Sequence, residues 1–269
     1  MDNFWKKAEE SIIMHGSMMN IVESCIDRHA AEQPDKTAFV FENENGRIKR
    51  YTYKELQQEV NRFANLLNKL NVKKSSRVFL FLPKIPEMYV SFLGVIKQGS
   101  IAAPLFEAFQ AQGLELRLQK GEADALVTNK ELLGRLKHKP KGMKIIVIDS
   151  KRFKDEMKRM PEEFDAVLKN KKDTALMIFT SSTAGTPVAG IELPHYGIVQ
   201  QHYTARLVLN LNNNDRYWCT AHPGWVLGAV YGILAPLSIG CTNYVYEGHF
   251  DAKKWLSFIV KNKISYKRG

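Results

Sequence analysis

The chain has 269 residues, 45% of them hydrophobic and 25% charged, with a formal net charge of +11. That length can bury a substantial core, and that composition excludes a wholly disordered polypeptide. Apolar runs such as Val78–Leu82 fall far short of the roughly 20 residues that cross a bilayer, so no membrane partner is expected.

Residues 1–36 read as a helical extension ending in the turn signal Glu32-Gln33-Pro34-Asp35-Lys36. Thr37–Phe41 reads as a strand and Glu42–Gly46 as a hairpin turn, with a return strand through Tyr51. Thr52 and Glu55 form a capping-box pair. They open a helix with Leu56, Val60, Phe63, Leu67 and Leu70 on one face. Arg77–Leu82 is a run of buried-strand length, broken by Pro83-Lys84-Ile85-Pro86. A helix follows with Tyr89, Phe92, Leu93 and Ile96 on one face, and Ile101–Leu105 is the next strand. Strand, helix and strand with short links make a parallel βαβ unit. The alternation continues through a helix near Gly113–Lys120, strand Ala125–Thr128, helix Lys130–Leu136 and strand Lys144–Ile148.

Residues 150–172 are charged and lack strand character, and read as helix plus surface linker. The pattern resumes with strand Ala175–Thr180, helix Tyr196–Leu209, strand Arg216–Cys219, helix Val226–Leu237, strand Thr242–Tyr246 and helix Ala252–Val260. The expected fold is α/β, with parallel βαβ sheet layers covered by helices. The expected division is a helical extension over 1–36, an α/β subdomain over 37–150, a charged linker over 151–172 and a second α/β subdomain over 173–269.

Much of the positive charge lies in Lys137–Lys144, Lys151–Arg159, Lys169–Lys172 and Lys261–Arg268, none with an interleaved aromatic stacking pattern. Such runs read as solvated faces whose field steers anionic nucleotides, and no nucleic-acid partner is expected. The N-terminus lacks the apolar stretch of a signal peptide. Cys25, Cys219 and Cys241 are odd in number and widely spaced, which fits a reducing, cytoplasmic setting. The histidines show no metal-ligand spacing, so no metal ligand is assigned. No G-x-G-x-x-G follows an expected strand, which argues against a dinucleotide-binding dehydrogenase.

The segment Thr180-Ser181-Ser182-Thr183-Ala184-Gly185-Thr186-Pro187-Val188-Ala189-Gly190 follows a strand directly and is rich in hydroxyls and small residues. It can offer N–H and O–H groups to phosphate oxygens, although a plain polar strand-to-helix loop has the same composition. It resembles the T-S-G-[ST]-T-G-x-P-K-G signature of adenylate-forming enzymes. Ser182 stands where that family has glycine, Ala184 where it has threonine, and Val188-Ala189 where it has one lysine. A second stretch, Tyr217–Gly232, resembles the W-C-T-A-D-P-G-W-V-T-G run of AMP-forming acetyl-CoA synthetases, with His222 for aspartate and Leu227 for threonine. A third, Phe81–Glu87 followed by Gly99–Phe109, resembles the early βαβ unit and P-L-F-E-A-F strand end of the same branch.

The resemblance implies the large N-terminal domain of an adenylate-forming enzyme and the chemistry of an acetate–CoA ligase. Acid, ATP and CoA would give acyl-CoA, AMP and pyrophosphate through an acyl-adenylate, with Mg²⁺ on the phosphates. Carried over residue by residue, it assigns Thr180, Ser181, Ser182, Thr183, Gly185 and Thr186 to the ATP phosphates. It assigns Trp225, Val226 and Leu227 to the acyl pocket, and Phe106 and Arg117 to CoA; no residue of this chain receives a catalytic role. Arg117 also reads as an exposed helix arginine and Trp225 as a packed core aromatic.

The family's Y-G-x-T-E-like segment, ribose-binding aspartate, hinge and lysine-bearing C-terminal domain have no counterpart before Gly269. The chain is therefore expected to be a truncated, catalytically incomplete ligase. The alternatives are one half of a split ligase, or a non-catalytic nucleotide- or CoA-binding or interaction module. An open sheet edge is expected, covered by self-association or by a partner.

Overall fold

The computed structural model describes residues 2–179 and 190–265. In chain order the strands are β1 (Met18–Met19), β2 (Thr37–Glu42), β3 (Ile48–Thr52), β4 (Arg77–Phe81), β5 (Ile101–Leu105) and β6 (Ala125–Thr128). They continue with β7 (Lys144–Val147), β8 (Lys169–Asn170), β9 (Thr174–Ile178), β10 (Ile191–Pro194), β11 (Arg216–Trp218) and β12 (Thr242–Tyr246). A six-stranded sheet has the order β10-β9-β5-β4-β6-β7, and a four-stranded sheet the order β11-β12-β2-β3. In the larger sheet β9, β5, β4, β6 and β7 are parallel and β10 pairs antiparallel with β9. In the smaller one β11, β12 and β2 are parallel and β3 closes the β2 hairpin.

The α/β expectation holds, with strands close to where the apolar runs put them. β4 shows why its sequence is continuously apolar. Val78 and Leu80 enter one core while Phe79 and Phe81 enter another, so both faces of the strand are buried. The helix after it, Pro86–Lys97, is buried almost all round rather than along the one face expected. Its Tyr89 ring meets Phe39 and Phe41 of β2 at 5.1 and 5.2 Å, while other side chains share a core with Val78 and Leu80. The helix thus lies between the two sheets. The neighbouring helix Tyr53–Lys69 starts at the expected capping box. Thr52 accepts from the Glu55 N–H, and the Glu55 carboxylate accepts from the Thr52 N–H.

Elsewhere the chain departs from the expected division. The N-terminal stretch is helical at Asp2–Glu10 and again, through a π-helical turn, over Glu23–Glu32. Between them β1 pairs antiparallel with β8, a strand within the segment expected to lack one. Asn20 fixes this junction by donating to the carbonyls of Ile96 and Val167, both at 2.9 Å. Residues 151–172 are not a loose linker. Helix Lys151–Arg159, capped by Ser150, packs Phe153 near Phe63, and Lys69 pairs with Glu156. Asn61 and Asn65 then donate to carbonyls of residues 161–163. Each sheet also takes strands from both stretches expected as subdomains, so those stretches interleave. β10 was not foreseen; it forms by returning along β9.

Candidate functional site

The residues just past the carboxyl ends of β4, β5, β6 and β12 line one crevice of about 440 Å³. Lys84 follows β4, Glu107 follows β5, Asn129 follows β6 and Glu247–Phe250 follow β12, with Arg135 and Trp255 on the walls. In open parallel sheets this carboxyl-end crevice is where ligands bind. β9 runs parallel to β5, so its carboxyl end faces the same side. The expected phosphate-loop residues Thr180, Ser181, Ser182, Thr183, Gly185 and Thr186 lie outside the described residues.

The loop between β11 and the helical segment Val226–Ile239 crosses the end of β5. It sits so close because Gly224 has no side chain: a Cβ there would lie 2.4 Å from the Phe106 nitrogen. His222 is buried, and its Nδ1 accepts from the Gly224 N–H at 2.9 Å. Its other nitrogen therefore carries the proton and donates to Leu82 O at 3.0 Å, with Glu107 Oε2 close by at 2.8 Å. Burial raises the Glu107 pKa, but His222, a main-chain hydrogen bond and Lys84 together outweigh it and hold the carboxyl below its usual range. Burial lowers the Lys84 pKa, opposed by Glu107, and burial raises that of Glu247. The crevice is thus a partly dry pocket holding both signs of charge.

Phe106 joins the two resemblance-bearing stretches. Its ring centroid lies 5.4 Å from His222 and 5.6 Å from Trp225. Trp225 is 37% exposed, so it is a surface wall and not the packed core aromatic. The expected acyl trio divides. Trp225 faces Phe106, whereas Leu227 lines a separate, mainly apolar cavity of about 510 Å³ with Tyr217, Cys219 and Tyr231. Val226 is half exposed.

Arg117 is neither an exposed helix arginine nor a wall of the crevice. It is buried, its guanidinium lies 3.8 Å from the Phe109 ring centre, and it donates to Gly113 O at 2.8 Å. The cation that serves the β5 strand end is Arg135, which the sequence reading passed over. It donates to Glu107 O at 2.5 Å and Phe109 O at 3.2 Å and lines the crevice. Its partners are main-chain carbonyls, so no residue pattern advertises the contact. Among the described residues no group of three or more His, Cys, Asp or Glu converges as metal ligands.

Comparison with known proteins matches residues 26–267 to the family described as AMP-binding enzyme. The acetyl-coenzyme A synthetase of Bacillus subtilis (strain 168) is 38% identical over 252 residues, covering 90% of this chain and 44% of that protein. The acetyl-coenzyme A synthetase of Methanothrix thermoacetophila is 33% identical over 283 residues, covering 93% and 42%. A solved Brucella canis acyl-CoA synthetase superposes with a TM-score of 0.87 at 24% identity, over 97% of this chain and 49% of that one, which shows the shared fold. The chain spans somewhat under half the length of the curated relatives it matches.

Proposed function

Because this chain belongs to the AMP-binding enzyme family, we propose that it carries part of the ligand-handling core of an acetate–CoA ligase and does not complete that reaction unaided. The observation that carries the reading is the meeting of Phe106 with Trp225 over the His222–Glu107 pair. It joins the two stretches that resemble acetyl-CoA synthetases at the carboxyl-end crevice. In this reading the Phe106–Trp225 wall contacts the acyl and thiol ends of the ligands, and Lys84 and Arg135 supply positive charge for CoA phosphates. Arg117 acts indirectly, bracing Phe109 beside Phe106.

Incompleteness rests on the phosphate loop. Val188-Ala189 stands where the signature has the lysine cation that a triphosphate would meet, and Ser182 and Ala184 replace its glycine and threonine. The family implies ATP, CoA and Mg²⁺, and among the described residues no group of three or more His, Cys, Asp or Glu converges. Exposed apolar side chains at Leu207, Val208, Leu256 and Val260 support a covering partner, a second copy or a complementing half-enzyme. None of the three cysteines takes part in a disulfide, which supports a reducing compartment such as the cytoplasm. Among the described residues no helix is long and apolar enough to cross a membrane.

Acetate-dependent ATP–pyrophosphate exchange by the purified 269-residue chain is the test. No exchange is expected from protein that circular dichroism shows to be folded; exchange above background would overturn the incompleteness. CoA binding, read from tryptophan fluorescence and lost in Trp225→Ala, is the second readout. Absence of both ATP and CoA binding would sink the ligand-handling reading and leave an interaction module.

A further inference from the structure

The six-stranded sheet ends at β7, on the side away from β10. Lys144 donates to Asp124 O and Ile148 to Thr128 O, both at 2.9 Å, so the even-numbered residues bond inward to β6. Ile145 and Val147 consequently turn their N–H groups toward the open edge. The Val147 carbonyl is already taken by the Ser150 N–H and hydroxyl, at 3.1 and 2.7 Å.

Beside this edge runs a groove of about 420 Å³, between β7 and the helices Tyr53–Lys69 and Lys151–Arg159. Leu66, Leu70, Ile146 and Phe153 give it an apolar surface, and Lys69, Arg152 and Glu156 give it a charged rim. Glu156 is already paired with Lys69, which leaves Arg152 as the rim charge outside that pair. Residues 137–159, which contain β7, hold nine lysines and arginines against three carboxylates, more than half of the chain's net charge of +11. Lys137, Lys139, Lys141, Lys151, Arg152 and Lys154 are exposed. The carboxyl-end crevice uses none of these residues.

We propose that the β7 edge is a docking site for an acidic segment of a partner protein, which adds to the sheet as an extended strand. Its main chain pairs with Ile145 and Val147, an aliphatic side chain fills the groove, and its carboxylates meet Lys144, Arg152 and Lys154. A nucleic acid would use the charge but neither the edge nor the groove. The ring nearest the site, Phe153, packs near Phe63 at 6.4 Å and is not free to stack a base.

The test is calorimetric titration of the chain with a blocked peptide of about eight residues alternating glutamate and valine, a usual strand length. Binding is expected to weaken about tenfold in the Arg152→Glu/Lys154→Glu variant and with added salt, because close opposite charges drive encounter and register. Ile145→Pro deletes an outward N–H without removing an inward ladder bond, and should abolish binding with the far-ultraviolet spectrum unchanged. Should that variant fail to fold, the charge reversal decides alone. Equal binding of polyglutamate would remove the groove and strand pairing from the site and overturn the proposal. So would tighter binding of duplex DNA that displaces the peptide, or no heat from the peptide at millimolar concentration.

Discussion

His222 and Glu107 meet at 2.8 Å although one lies in the loop after β11 and the other follows β5. The imidazole also receives the Gly224 N–H, so one side chain ties the loop to itself, to Leu82 and to Glu107. His222→Ala removes the donor and leaves Glu107 a partly buried carboxylate with less compensation, a loss of about 2–3 kcal/mol in urea unfolding.

His222→Asp, which introduces the residue the acetyl-CoA synthetase resemblance has there, sharpens that test. Two adjacent carboxylates raise one another's pKa above the unfolded value. A raised carboxyl pKa means the folded form holds the extra proton. The variant should therefore gain stability relative to the parent as pH falls from about 7.5 toward about 5. Unfolding midpoints at both pH values check it, and a difference independent of pH would show that the pair does not couple.

Gly224→Ala should be costly for a different reason. The added carbon would sit 2.4 Å from Phe106 N and 2.6 Å from Leu105 C, and backbone cannot move aside like a flexible side chain. The loop would have to lift from β5, at a cost of about 3 kcal/mol. Trp225 would then part from Phe106, so a shift in tryptophan emission should accompany the lost stability. Unchanged emission would mean that Trp225 keeps its place without the close approach.

These contacts show which parts of the molecule a sequence can express. β4 and β5 were legible because each needs only its own apolar run and a helix between them. The second buried face of helix Pro86–Lys97 was not, since it depends on Phe39 and Phe41 from a distant strand. β1 and β8 are too short to show a period, and each makes sense only against the other. The resemblance singled out Phe106 and Trp225 separately, and their meeting at 5.6 Å shows only in the fold. Arg135 binds main-chain carbonyls and left no pattern, and the burial of Arg117 was not legible because its stacking on Phe109 is a matter of rotamer, not spacing.

The helix Ala252–Asn262 buries Phe258 but leaves Leu256 64% and Val260 76% exposed, four positions apart on one face. Phe250 beside it is 73% exposed. Such a stripe favours association. Leu256→Lys with Val260→Lys should shift sedimentation toward monomer and reduce binding of a hydrophobic dye, with stability changed by less than about 0.5 kcal/mol. Unchanged association would place the contact elsewhere, with Leu207 and Val208 the next surface to alter.

His29, His195 and His202 are all buried, and burial is the main cause that lowers each pKa from 6.5 to about 4. Arg28 adds to the effect at His29, as Arg206 does at His202, while Asp173 opposes it at His195. Between those pH values the unfolded chain binds protons that the folded chain refuses, so stability must fall as pH falls. One pKa unit corresponds to about 1.4 kcal/mol, so each imidazole can withdraw roughly 3 kcal/mol by about pH 4. Unfolding free energy should therefore be flat above about pH 7 and decline steeply from about pH 6 downward. His202→Gln, which keeps a polar side chain that does not titrate, should flatten part of that decline. A parent chain equally stable at pH 4 and pH 7 would show that these imidazoles take up protons in the folded state.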